Sequence, residues 1–233
     1  MNSKWIDVKA GDGGTFKAYL SLPPTGRGPG ILLIQEIFGV NEHIRGVADQ
    51  YAMDGYTVLA PDVFWREEPG IQLGYDKDGF AKGLDLVRRA KFTQCTQDLA
   101  DALKLLRGLP ECTGPVASMG YCMGGRLSYH LAAETDVDAA VCYYGGGIPT
   151  VLSEVPKIRA PILLHFAEND SFIPLPSVQS VRDAFAGRDN VMIEVYEGVE
   201  HGFNCWSRSN YNQTAAALAR GRTLAFLATN LPG

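Results

Sequence analysis

An α/β fold built on a mostly parallel sheet is what this chain predicts, and three observations carry that prediction. Short apolar runs alternate with stretches of helical spacing from about residue 30 onward. The run Gly30-Ile31-Leu32-Leu33-Ile34 is continuously apolar, as a strand buried on both faces of a parallel sheet must be. The length of 233 residues, 46% of them hydrophobic and 20% charged, suits one sizeable core, so a single domain over residues 1–233 is expected.

Each element has its own justification. Residues 4–8 and 15–22 read as two strands joined by Gly11-Asp12-Gly13-Gly14, a turn by composition, which makes an antiparallel hairpin. Residues 23–28 are a turn-rich connector to the apolar strand at 30–35. Helical spacing runs from about 42 to 53, and a strand follows at 56–60. Residues 62–83 contain Pro69, Gly70, Gly74 and Gly79 and read as a long irregular connection. Such a segment tends to be functional, so a substrate loop is expected there, with no separate cap domain. Residues 93–109 form an amphipathic helix stopped by Pro110. A short strand at 114–119 and a helix through 126–133 come next. Strands at 139–144 and 161–167, a helix at 177–185, a strand at 191–196 and a last helix over about 213–229 complete the alternation.

Charge and composition exclude some classes of partner. The net charge is −5 and no basic stripe is present. Arg88-Arg89-Ala90-Lys91 is the densest basic cluster and reads as a solvated helix face, so neither nucleic acid nor an anionic membrane is an expected partner. The N-terminal residues lack the apolar core of a signal peptide, and no apolar run nears the ~20 residues of a membrane span. Five cysteines, Cys95, Cys112, Cys122, Cys142 and Cys205, show no C-x-x-C pairing. They read as reduced thiols of a cytoplasmic protein.

One of those thiols is placed for chemistry. Gly120-Tyr121-Cys122-Met123-Gly124 lies between a predicted strand and a predicted helix, the setting of a G-x-S-x-G nucleophile elbow with cysteine in place of serine. A small buried core cysteine in a tight turn is the plain alternative. A thiol nucleophile needs a base, and four histidines are available. His43 opens a helix, His130 lies two turns past the elbow, and His165 sits inside the apolar run 162–166. His201 instead follows a strand, in Glu200-His201-Gly202-Phe203, on the rim where strand ends gather. Asp170, just after the strand at 161–167, is the candidate to orient it, with Glu168 a competitor two residues earlier. The order Cys122, Asp170, His201 is the chain order of nucleophile, acid and base in α/β-hydrolases, a fold that the opening hairpin also fits. Two backbone amides should hold an oxyanion: that of Met123, and one from the loop after residues 30–35, where Ile37 is best placed.

At these residues the chain resembles the dienelactone hydrolase family (carboxymethylenebutenolidases) of the α/β-hydrolases. The resemblance spans nearly the whole chain, through Gln35-Glu36-Ile37-Phe38-Gly39-Val40-Asn41, Pro61-Asp62, Gly120-Tyr121-Cys122-Met123-Gly124-Gly125, Tyr143-Tyr144-Gly145 and Glu200-His201-Gly202-Phe203-Asn204. It implies that Cys122, Asp170 and His201 form a catalytic triad, that Ile37 and Met123 donate to the oxyanion, and that Glu36 contacts the resting thiol. It also implies arginines for a substrate carboxylate, one shortly after the catalytic histidine and one in the loop before the elbow. Here Cys205 and the Ala81-Lys82 pair stand at those places, leaving Arg208 and Lys82 as substitutes. The implied activity is opening of a small, anionic enol-lactone or ester through a Cys122 thioester, with no cofactor and no metal, as in the breakdown of catechol-derived aromatics. A general esterase or thioesterase on the same fold is the alternative, and a redox-active thiol protein a more distant one.

Overall fold

The apolar runs read from the sequence become neighbouring strands of one sheet. In the computed structural model, which describes residues 2–232, the strands are β1 (Asn2–Lys9), β2 (Thr15–Leu22), β3 (Gly28–Ile34) and β4 (Thr57–Pro61), then β5 (Cys112–Tyr121), β6 (Ala139–Tyr143), β7 (Ile162–Ala167) and β8 (Val191–Tyr196). Their order is β1-β2-β4-β3-β5-β6-β7-β8, with the β1–β2 and β2–β4 pairings antiparallel and every other pairing parallel. Helices α1 (Glu42–Met53), α2 (Lys77–Arg89), α3 (Phe92–Gly108), α4 (Met123–Glu134), α5 (Leu175–Ala184) and α6 (Gln213–Asn230) accompany it on both faces. This is the α/β-hydrolase arrangement.

The centre of the sheet is the core. Ile31, Leu32, Leu33 and Ile34 of β3 are wholly buried, as are Val58, Leu59 and Ala60 of β4 and Val141 and Cys142 of β6. Each fully buried large aliphatic side chain contributes about 1.5–3 kcal/mol, so these strands supply a large share of the hydrophobic stabilisation. In α3 the buried Leu99, Ala102, Leu103 and Leu106 follow helical spacing and face β5. Side-chain caps start three helices: Asn41 accepts from the Ile44 amide, Asp76 from Gly79 and Asn212 from Ala215.

One expectation is corrected. Residues 62–83 are not irregular throughout, because α2 begins at Lys77. Its glycines are there for packing: a Cβ at Gly83 would lie 2.6 Å from the Ile37 carbonyl oxygen, and one at Gly79 would overlap the Gly74 carbonyl. The irregular stretch is therefore 62–76, tied down where Asp62 accepts from the Gly70 and Phe64 amides and Leu73 donates to Phe38.

Buried polar groups are joined across the sheet. His165 of β7 bonds the Tyr196 hydroxyl through Nδ1 (2.8 Å) and Thr223 Oγ1 of α6 through Nε2 (2.9 Å), and Thr223 also bonds the Tyr143 hydroxyl (2.7 Å). His165 is thus the satisfied core histidine that its apolar surroundings imply. Burial, reinforced by the Arg222 charge, pushes its pKa down to about 3. In the unfolded chain it titrates near its ordinary ~6.5. Stability present in full above about 6.5 is therefore lost as pH falls toward 3, by up to about 1.4 kcal/mol per pH unit for this one group. Denaturant titrations at a series of acid pH values should show His165→Gln with a shallower slope than the parent chain; equal slopes would contradict this account.

Two glycines separate packing from propensity. A Cβ at Gly120 would overlap the Gly124 carbonyl, whereas Gly221 of α6 has open space around it. Gly120→Ala should lower unfolding free energy by about 3 kcal/mol, and Gly221→Ala should raise it by about 0.5–1 kcal/mol. Denaturant midpoints check both signs.

Candidate active site

Cys122 sits at the turn from β5 into α4 with φ 55° and ψ −114°, a conformation costly for any residue with a Cβ. Close packing on all sides holds it there. Its N–H donates to the Tyr143 carbonyl at 2.9 Å. Gly124 lies so near the Ile34 and Gln35 carbonyls that a Cβ would overlap them, and at Gly125 a Cβ would stand 2.7 Å from the Tyr143 oxygen. The sulfur-bearing residue is left half-buried, on the wall of a pocket. Met123 opens α4, so its N–H has no partner within the helix. The Ile37 N–H, in the loop after β3, likewise donates to no protein group among the described residues. Both residues line the same pocket as Cys122.

His201 reaches this pocket from the loop after β8, and Asp170 backs it from the loop after β7. Nδ1 of His201 lies 2.7 Å from Asp170 Oδ2, and both side chains are buried. The other carboxylate oxygen accepts from the Phe172 amide (2.8 Å) and the Ile173 amide (3.1 Å), which fixes the acid before the histidine uses it. Rings of Tyr144 and Phe172 pack on the imidazole, each with centroid 5.0 Å away. Burial disfavours the charged ring, but the Cys122 sulfur and the Asp170 carboxylate together outweigh it and raise the His201 pKa to about 10. The competitor Glu168 is occupied elsewhere, accepting from the Gly198 amide at 2.8 Å. His130 pairs with Glu154.

Glu36 is fully buried, with one oxygen 3.0 Å from the Tyr75 hydroxyl and the other 3.4 Å from Arg208 Nη1. Burial raises its pKa, against the opposing pull of Arg208, Tyr75 and His201. At rest its hydrogen bonds are thus to Tyr75 and Arg208. Arg208 also lines the pocket, above the faces of Phe38 and Tyr75. It arrives by passing over Gly202, whose positive φ of 81° and missing side chain clear the way; a Cβ there would stand 2.5 Å from Nη1. Cys205 is buried and neighbours Glu36, and burial pushes its thiol up to about 12. The guanidinium is supplied three residues later.

Lys82 does not join the site. It lies on α2, paired with Glu68 at 2.5 Å, and is not among the pocket's lining residues. The same helix turns Phe80, Leu84 and Val87 to the pocket instead. With Phe92, Phe38 and Phe172 they give apolar walls to a cavity of about 300 Å³. Two residues here were given no role by the sequence reading, Arg126 and Tyr144. Helical periodicity placed Arg126 on α4 without showing that it faces the pocket.

Two groups of side chains among the described residues could hold an ion. Glu36, His43 and Cys205 bring their donor atoms within 4.8 Å of one another, as do His130, Glu134 and Glu154. In the first, His43 is neutral, its pKa pushed down to about 4 by burial and then by Arg208, and Arg208 already claims Glu36. Replacing Asp170 by Asn should move the His201 titration to lower pH; following its ring carbon by NMR tests this, and an unmoved midpoint would remove Asp170 from the role of charge partner.

Comparison with known proteins gives a consistent picture. Residues 16–231 match the model of the dienelactone hydrolase family. The carboxymethylenebutenolidase of Pseudomonas putida is 35% identical over 229 residues, covering 98% of this chain and 97% of that one. Carboxymethylenebutenolidase 1 of Cupriavidus pinatubonensis is 32% identical, with the same shares covered. Among solved structures, a Klebsiella pneumoniae chain named for dienelactone hydrolase superposes with a TM-score of 0.84 at 26% identity, over 97% of this chain and 98% of its own.

Proposed function

This chain belongs to the dienelactone hydrolase family, a family of carboxylic-ester hydrolases, and from that premise we propose that it opens a small enol-lactone or ester through a thioester on Cys122. One observation carries the reading: the Asp170–His201 hydrogen bond of 2.7 Å opens onto the same pocket wall as the elbow thiol. No described helix is long and apolar enough to cross a membrane.

In this mechanism the sulfur of Cys122, its proton passed to His201, attacks the substrate carbonyl. The unclaimed amides of Ile37 and Met123 receive the oxygen as it becomes an oxyanion, and they do so without reorganising. Collapse of the tetrahedral adduct forms the thioester and expels an enolate or alkoxide, to which the His201 imidazolium returns the proton. Water activated by His201 then releases the acid. Asp170 keeps the imidazole in the tautomer that presents Nε2 to the sulfur.

Glu36 has a part that its surroundings support. A carboxyl whose pKa burial has raised is a better base near neutrality than an exposed one. Released from Tyr75 and Arg208 when substrate enters, it would turn to the sulfur and assist its deprotonation. Arg208 holds Glu36 at rest and lends positive charge to the pocket for an anionic substrate. Such substrates arise as lactones in the breakdown of catechol-derived aromatics. The apolar walls also favour a second reading, a general esterase for acyl groups with hydrocarbon arms.

Rates on cis- and trans-dienelactone, set against 4-nitrophenyl esters, separate the two. The lactone reading expects kcat/KM to be higher on one dienelactone isomer than on any neutral ester tested; the reverse order selects the esterase. Cys122→Ala should reduce turnover by about 10⁴-fold or more while near-UV circular dichroism stays unchanged. Retained turnover in that variant would exclude the thioester.

A further inference from the structure

Two guanidinium groups line the pocket, and among the described residues only one of them has a carboxylate partner. Arg208 is matched by Glu36. Arg126, one helical turn beyond Cys122 on α4, forms no salt bridge among the described residues. Its Nε donates to His130 Nε2 at 3.2 Å, and its two terminal nitrogens donate to nothing among the described residues. Glu154, the one carboxylate that acts on its charge, is engaged by His130 at 2.8 and 3.0 Å. Burial lowers the Arg126 pKa, the mark of a cation set in apolar surroundings without full compensation.

The group is nevertheless held in place. Its guanidinium carbon stands 4.5 Å over the centre of the Phe92 ring. His130, itself pinned by Glu154, receives Nε. On the remaining side the chain passes at Gly147, where a Cβ would lie 2.6 Å from Nη1. Stacked below, bonded at Nε and crowded by backbone, the fork keeps a fixed direction while its terminal donors stay free. That is the arrangement a planar, bidentate acceptor requires.

Resting on the hydrolase reading above, we infer that Arg126 is the pocket's anion-recognising residue. It binds a carboxylate carried on the acyl side of the substrate, about one helical turn from the carbonyl that Cys122 attacks. The substrate class this selects is a monoanionic ester or lactone whose acid end is separated from the reacting carbonyl by a short carbon chain. That chain lies along Phe92, Val87 and Leu84. His130 is a positioning residue, acting through Arg126.

The test uses the whole protein and two probes, mono-4-nitrophenyl adipate and its methyl ester, which share leaving group and chain and differ in charge. The readout is the ratio of kcat/KM for the anionic over the neutral probe. Arg126→Met should lower that ratio about 10- to 100-fold, the worth of a charge-assisted hydrogen bond, and the loss should lie mainly in KM. Arg126→Lys should restore part of it. A merely structural role would depress both probes together and leave the ratio unchanged, which overturns the inference. If the parent chain hydrolyses both probes but shows no dependence of the ratio on residue 126, the inference fails while the hydrolase reading stands. If the parent hydrolyses neither these probes nor the dienelactones, the hydrolase reading fails, and the inference with it.

Discussion

The approach of α4 to the end of β3 is the constraint from which the rest follows. Gly124 presses against the Ile34 and Gln35 carbonyls, Gly120 against Gly124, and Gly125 against Tyr143. No side chain fits at any of these contacts, and together they leave Cys122 one conformation, with positive φ. The same contact sets the start of α4 beside the loop that carries Glu36 and Ile37. One tight junction therefore aims the sulfur, frees the Met123 amide and brings the second amide alongside. Strain at one residue is tolerated because three glycines and the most buried strands of the sheet surround it.

Support for the histidine comes from a different part of the sheet and follows a different logic. The loop after β7 spends its aspartate's first oxygen on its own amides and its second on His201. The loop after β8 is anchored by Glu168 through Gly198. Beneath them, the hydrogen-bonded chain of Tyr196, His165, Thr223 and Tyr143 ties β6, β7, β8 and α6 together. The two loops thus stand on strands whose spacing is fixed by buried polar groups as well as by apolar packing. A polar network of this sort is favourable because every member in the chain finds a partner.

Much of this was legible in the order of residues, and the exceptions have definite causes. Alternating apolar and helical spacing located the sheet, because β3, β4 and β6 are buried on both faces and tolerate little else. Cys122, Asp170 and His201 could be picked out because each follows its own strand. Helix α2 was hidden by Gly79 and Gly83, residues that favour loops locally but here permit contact with Gly74 and Ile37. Lys82 was misplaced for the same reason: once 77–89 is a helix, its direction is set by the turn, and it meets Glu68. Arg126 and the Glu36–Arg208 pair could not be foreseen, since the first needs a side-chain direction and the second joins positions 172 apart.

The route of Arg208 over Gly202 has a wider implication. The cation beside Glu36 comes from a residue six places beyond Gly202, and the small turn beneath it is what makes that path feasible. A side chain at position 202 would therefore deprive Glu36 of its cation without altering the arginine that carries the charge. The bare turn at 202 thus belongs to the electrostatics of the pocket, although it bears no charge of its own.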